Sequence, residues 1–232
     1  MTNSREISGI ITSAFHQRVA KRGDSGRSMR TVESLEAQLK RALDTGGMAS
    51  FCEGVTQAVN ELADKTDRVS LAVTGLGWLG AGVPAVERTL TDLLDAADQE
   101  ILLTVYSMTP GTGRVWDAIE KALATGIRCT LIANRLDAQH PDLRSLFLEL
   151  ARRYPVTLRI YTFTGADDRD ALHAKLVIVD RQVALVGSAN LTFHGMVSAH
   201  ELAIVVRGPT VEIIASRVDL LLRSRLVQTY SG

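Results

Sequence analysis

The feature that most constrains the fold is a change of hydrophobic period near Asp67. Before it, Val32, Leu35, Leu39 and Leu43 recur at spacings of three and four, as do Val55, Val59 and Leu62, so residues 1–67 read as a helical N-terminal region. After it, Val69, Leu71 and Val73 alternate. Apolar runs at Ile101–Tyr106, Ile127–Ile132 and Val156–Tyr161 then follow in turn with helical stretches at Pro84–Ala97, Arg114–Ala124 and Pro141–Arg153. Strands separated by helices pair in parallel and need cover on both faces.

The last third departs from that rhythm. Leu172–Val179 and Val183–Val186 are separated by a few residues around Asp180, too few for a parallel crossover, so they form a hairpin and the sheet is mixed. A strand at Leu202–Val206 and a closing helix at Pro209–Leu222 complete the chain, with Pro209 suited to a first helical turn. The expected fold class is α/β, a mixed β-sheet flanked by helices on both faces, occupying residues 68–232 behind the helical region.

Composition narrows the function. A chain of 232 residues, 46% hydrophobic, has enough apolar material for a large core. Its 26 basic and 26 acidic residues cancel, so no global field attracts nucleic acid or an acidic membrane, and any anion must be recognised locally. Cys52 and Cys129 sit in apolar surroundings and match no zinc spacing, which argues against a disulfide framework or a bound metal and suits a reducing cytoplasm. Arg5, Glu6, His16 and Arg18 interrupt the first apolar stretches, and no apolar run reaches 18 residues; a soluble intracellular protein with no membrane segment is expected.

Chemistry concentrates between His173 and Asn190, where His173, Lys175, Asp180, Gly187, Ser188 and Asn190 spell H-x-K-x4-D-x6-G-S-x-N. Residues two apart on a strand face the same way, so His173 and Lys175 should share a face, and the hairpin should return Ser188 and Asn190 beside them. Lys175 supplies charge, Ser188 and Asn190 donate to non-bridging phosphate oxygens, and Gly187 lets backbone approach the phosphate. His173 is the group of the set suited to attack phosphorus or shuttle a proton near neutral pH. Asp180, at the turn, is assigned mainly to structure.

Other features read less sharply. Gly75, Gly77 and Gly80 form G-x-G-x-x-G after the first strand, with Asp98 and Glu100 at about the distance of a ribose-binding acid, but Gly82 and Pro84 delay the helix and favour a plain loop at the sheet edge. His194 and His200, with Phe193 and Met196, read as partly buried loop residues near the site, and Trp78, Trp116 and Tyr106 as core or edge residues. The segment Arg22–Ser28, with Arg18, Lys21, Arg27 and Arg30 around it, reads as a solvated loop, with a phosphate-backbone contact as the alternative.

The motif resembles that of the phospholipase D superfamily, and the resemblance runs from about Val69 to Leu222. It implies a metal-independent, cofactor-free phosphodiesterase in which two such motifs meet across a two-fold axis. One histidine attacks phosphorus to give a phosphohistidine, the other protonates the leaving oxygen, and water completes the reaction. It also implies that Glu201 holds the nucleophilic histidine by its other ring nitrogen. His16, His140, His194 and His200 lack a lysine two residues on, so this chain carries one motif and a homodimer is expected. Small single-motif members of that superfamily are typically nucleases, which makes DNA or RNA the expected substrate. The neutral charge then points to partner proteins, docked through the N-terminal helices, for recruitment. The layout is also similar to that of phospholipase D-like proteins encoded with bacterial anti-phage defence systems. The alternatives are a phospholipid hydrolase or phosphatidyl transferase, and a non-catalytic interaction subunit that retains the fold.

Overall fold

A computed structural model describes residues 2–20, 28–78, 82–109 and 112–230. Most of the segment Arg22–Ser28, and Gly80 of the glycine motif, lie outside them. The chain divides into two compact units, Met1–Thr66 and Asp67–Gly232.

The first unit is helical, with α1 at Thr2–Ala20 and α2 at Ser28–Lys65, the latter broken at Gly47, whose φ of 71° belongs to the left-handed region. The two helices meet through small residues. A Cβ on Gly54 would fall 2.6 Å from both the Ile7 Cβ and the Ser4 carbonyl oxygen, and Ile7 and Ala58 are fully buried. Thr12 bonds the Ser8 carbonyl at 2.8 Å, absorbing its own hydroxyl within α1.

The second unit is built on one eight-stranded sheet. Its strands are β1 (Arg68–Thr74), β2 (Glu100–Val105), β3 (Arg128–Asn134), β4 (Leu158–Phe163), β5 (Lys175–Val179), β6 (Val183–Gly187), β7 (Glu201–Arg207) and β8 (Val227–Thr229). They lie in the order β1-β7-β6-β5-β2-β3-β4-β8. β2, β3 and β4 are parallel, as the helices between them require, and every other pairing is antiparallel. The sheet is therefore mixed.

Helices cover both faces, unequally. On one face α3 (Val86–Asp95), α4 (Gly113–Ala124) and α5 (Pro141–Arg153) pack Leu90, Leu94, Ile119, Leu123 and Phe147 against the odd-numbered residues of β2, β5 and β7. On the other, α6 (Pro209–Leu222) sets Val211, Ala215 and Val218 on Leu102, Ile178, Ala184 and Val206. Leu90 is 1% exposed, and truncating such a side chain to alanine typically costs about 2–5 kcal/mol. The start of α6 is tied to the chain just before β1, because Asp67 accepts hydrogen bonds from the Thr210 amide and hydroxyl.

Several sequence expectations need correction. β1 forms where expected, but its burial does not alternate: Val69 and Leu71 are 62% and 40% exposed, because β1 is an edge strand and only its last three residues are buried. β5 begins at Lys175 instead of Leu172, so His173 precedes the strand. The stretch before it is held by side chains in place of a ladder: Asn134 Oδ1 accepts from the Leu172 amide at 3.0 Å, and Thr104 donates to the Ala174 carbonyl at 3.1 Å. Cys129 is buried, which pushes its thiol up to about 12, whereas Cys52 is exposed, on a helix. The glycine loop opens no parallel βαβ unit, since β1 pairs antiparallel with β7 and is no neighbour of β2.

Candidate active site

All eight strands have an end at one edge of the sheet, and six of them position the residues of the motif. β1, β2, β3 and β6 finish there at Thr74, Val105, Asn134 and Gly187, and β5 and β7 start there at Lys175 and Glu201. In open α/β sheets the crevice beyond the carboxyl ends of the parallel strands is the usual place for a ligand. The register fixes the neighbours: Lys175 opposes Gly187, Gly187 opposes Ala203, and Glu201 opposes Thr74.

His173 is exposed, and Lys175 folds back onto it. The ammonium Nζ lies 2.9 Å from each ring nitrogen of His173 and donates to its backbone carbonyl at 2.9 Å. Tyr106, just past β2, completes the group: its ring meets the His173 ring edge to face at 4.3 Å, and its centroid lies 4.9 Å from the Lys175 ammonium. From sequence alone Tyr106 reads as a core or edge residue. Only the antiparallel pairing of β5 with β2, a long-range fact, brings it to the motif.

Lys175 emerges over an apolar cavity of about 30 Å³ lined by Val86, Leu90, Leu185, Leu191 and Met196 among others. Burial pulls its pKa below the ordinary lysine value, and the Glu201 carboxylate partly opposes that shift. Glu201 is thus electrostatically linked to Lys175. Its hydrogen-bond partner, however, is the Ser188 hydroxyl, and the structure gives it no bond to His173. Ser188 is fixed further, its Oγ accepting from the Leu202 amide at 3.2 Å and its own amide donating to the Leu202 carbonyl at 3.1 Å.

Asn190 lies two residues on, where its Oδ1 is buried without a hydrogen-bond partner. A fold rarely leaves such an atom unpaired. Gly187 has a reason different from phosphate approach: a Cβ there would sit 2.6 Å from the Ala203 Cβ and 2.8 Å from the Leu202 carbonyl, so the glycine lets β6 and β7 close up. Asp180 stands apart, at the opposite end of β5, where its carboxylate accepts from the backbone amides of Asp98, Gln99 and Glu100 at 2.7–2.9 Å.

His194 and His200 are exposed, against the expectation of partial burial. His194 starts a π-helical turn, His194–Ser198, with its Nδ1 2.7 Å from the Ser198 hydroxyl. His200 precedes Glu201 and lies over Gly75 and Gly77, whose missing Cβ atoms make room for its ring. Among the described residues no group of three His, Cys, Asp or Glu side chains is placed to hold a metal ion, and no helix is long and apolar enough to cross a membrane.

Comparison with known proteins agrees with this arrangement at the level of family and fold. Residues 90–219, more than half of the chain, match the family model described as cardiolipin synthase, PLD-like domain. The DISARM protein DrmC of Bacillus paralicheniformis is 27% identical over 126 residues, covering 54% of this chain and 51% of that protein. Phospholipase D Y of Dictyostelium discoideum is 29% identical over 93 residues, 40% of this chain and 20% of that protein. The match thus spans about half of the first relative and a fifth of the second. Among solved structures, Nuc from Salmonella typhimurium, a phospholipase D family member, superposes with a TM-score of 0.56 at 17% identity, covering 72% of this chain and all of that one. NucT from Helicobacter pylori gives 0.56 at 17% identity, covering 71% of this chain and all of that one. Phosphatidylserine synthase of Haemophilus influenzae gives 0.55 at 16% identity, covering 72% and 40%. At such identities the likeness is one of fold.

Proposed function

The chain belongs to the phospholipase D-like domain family, and from that premise we propose that it is a nuclease that cleaves DNA or RNA through a phosphohistidine, in an active site completed by a second copy of itself. The observation that carries this reading is the convergence of His173, Lys175, Ser188 and Glu201 at one sheet edge in a chain with a single such motif.

The chemistry follows from the roles these groups can take. The His173 imidazole forms a bond to phosphorus as the bond to the leaving oxygen breaks, and His173 of the partner subunit gives that oxygen its proton. The partner's histidine then takes a proton from water, whose oxygen displaces the imidazole. Lys175 balances the charge on the non-bridging oxygens, with the Ser188 hydroxyl and the Asn190 amide as hydrogen-bond donors. Glu201 holds Ser188 and keeps a negative charge near Lys175. We assign it, through the family resemblance, to orienting His173 once substrate engages Ser188.

The likeness to DrmC supports a setting in bacterial anti-phage defence, with the helical unit as the docking element for protein partners. A cytoplasmic location suits that setting.

The test is direct. Purified protein is incubated with end-labelled single- and double-stranded DNA, RNA and phospholipid vesicles, with and without chelator, and its mass in solution is measured. Nucleic-acid cleavage that survives chelation, inhibition by tungstate, an acid-quenched phosphoenzyme absent from His173→Ala, and a dimeric mass are expected. Phospholipid turnover without strand cleavage, activity restored only by magnesium, or full activity in a monomer would each overturn part of the proposal.

A further inference from the structure

Two aromatic side chains stand open to solvent at the site edge of the sheet. Among the described residues, Trp78 (46% exposed) and Phe193 (54%) are the exposed tryptophan and phenylalanine, while Trp116, Phe147 and Phe163 are in the core. Both rings stand on hydrogen-bonded backbone. The Trp78 amide donates to the Gly75 carbonyl at 3.0 Å, closing a turn, and its ring stands edge to face with His200 at 6.0 Å. His200 adjoins Glu201, and Gly75 follows Thr74, which opposes Glu201 in the sheet, so Trp78 is anchored on the β1 flank of the site. Phe193 is anchored from the β2 flank. Its amide donates to Thr109 Oγ1 at 3.2 Å, and the Thr109 amide donates to the carbonyl of Leu191, the residue after Asn190.

Exposed apolar rings are costly to keep, and single ones are usually unremarkable. Two such rings on hydrogen-bonded backbone near the site end of the sheet suggest a ligand with faces to stack. The electrostatics narrow the choice. The chain has no net charge, and the segment before His173 carries Asp167, Asp168 and Asp170 around Arg169. Arg135 is already committed there, donating to the Asp167 carbonyl at 2.7 Å and pairing with Asp168 at 3.4 Å. With no net charge on the chain and Arg135 already paired with this segment, phosphate neutralisation contributes less to binding there. Stacking on bases then carries more of the affinity for a strand, and unpaired bases present their faces. The same argument disfavours an anionic membrane, which would call for lysine and arginine around the rings.

We propose that Trp78 and Phe193 are stacking platforms for unpaired nucleobases on the two flanks of the site, making its substrate a single-stranded nucleic acid. The proposal rests on the nuclease reading above and deepens it.

The experiment uses the full chain carrying His173→Ala, so that strands are bound and not cut. Anisotropy is measured with a labelled oligothymidine strand, an abasic strand of equal length and a duplex, alongside sedimentation with anionic phospholipid vesicles. The base-bearing strand should bind at least about tenfold more tightly than the abasic strand or the duplex and should quench tryptophan emission. Trp78→Ala and Phe193→Ala should each weaken binding about tenfold, while Trp78→Phe keeps most of the affinity. The logarithmic salt slope should be shallower than about −2. Should Trp78→Ala fail to fold, Phe193→Ala tests the same idea independently.

Equal affinity for base-bearing and abasic strands overturns the platform. So does vesicle binding lost in Trp78→Ala while strand binding is untouched, which would assign the rings to a lipid surface. Tryptophan emission that follows protein concentration and ignores strand would assign them to the contact between copies. The parent reading fails separately: wild-type strand cleavage with no base dependence of affinity removes the platform and keeps the nuclease, whereas absence of any strand cleavage removes both.

Discussion

The β5–β6 hairpin has two ends with opposite electrostatic character. At the turn, the two charged residues are both answered. Asp180 accepts three backbone amides, and Arg181 donates to Glu100 at 2.6 Å and forks onto both oxygens of Asp219 at 2.9 and 3.0 Å. Both turn residues accept left-handed backbone, with φ of 52° and 56°, a local cost that these bonds offset. At the other end Lys175 is desolvated and lies beside another donor-bearing ring, Asn190 Oδ1 has no partner, and Ser188 and Glu201 bond to each other. One end of the hairpin is saturated with partners, and the other gathers the groups that the proposed chemistry would use. A fold can keep an under-satisfied site because a saturated network lies a strand's length away.

The contrast is broken most severely at His173. Replacing it with alanine should lower strand cleavage by more than about 10⁴-fold, since the proposed covalent step loses its nucleophile, while the thermal midpoint moves little because the side chain is exposed. Single-turnover kinetics beside calorimetry would check both halves. A large loss of stability would mean that the site end also holds the fold together.

Lys175→Met comes next. Loss of the charge proposed to face the non-bridging oxygens should reduce kcat by about 10²–10³-fold. Stability should hold or rise, because burial already disfavours the ammonium. The sign is consistent: with the folded-state pKa below the usual lysine value, the unfolded chain binds more protons between the two values, so wild-type stability rises with pH across that window. That rise should be absent from Lys175→Met in a pH series of midpoints.

At the turn the pattern should invert. Asp180→Ala removes an acceptor of three amide donors and puts a poorly suited residue at positive φ, a loss of about 2–4 kcal/mol in stability, with turnover per folded molecule unchanged. For Asp180, burial is the largest single influence and raises the pKa, but the three amides together outweigh it and the net shift is downward. Its contribution is therefore present above the ordinary carboxylate range and is lost as pH falls through the lowered value. Urea midpoints of wild type and variant should converge in acid.

The two ends also differ in how far the sequence reveals them. The helices at Pro141–Arg153 and Pro209–Leu222 were legible to the residue, because proline at the first turn and a 3.6-residue apolar period are local signals. The hairpin was legible for the same reason. Strand β8 was not: its three residues gain their order from pairing with β4, which no local pattern announces. The start of β5 was misplaced because Asn134 and Thr104, distant in sequence, take over backbone groups that alternation assigns to a ladder. Within the site, His173, Lys175, Ser188 and Asn190 stood out through their spacing. Tyr106 and the outward face of Trp78 did not, since an aromatic residue at a strand end reads the same whether it faces core or solvent.

The smallest expected effect is the most diagnostic. Glu201→Gln keeps an acceptor for the Ser188 hydroxyl and removes a negative charge, so packing should survive and kcat should fall about tenfold, within the range for residues that orient catalytic groups. A fall of that size alone would fit a merely structural role. The charge adds a second signature. Burial lowers the Lys175 pKa and Glu201 is what opposes the shift, so with glutamine at this position the ammonium should lose its proton at still lower pH. The alkaline limb of the kcat profile should then move to lower pH in Glu201→Gln and return toward the wild-type position in Glu201→Asp, which restores the charge. A uniform loss of rate with an unmoved alkaline limb would instead confine Glu201 to holding Ser188, and the site end of the hairpin would depend on Lys175 without an electrostatic partner.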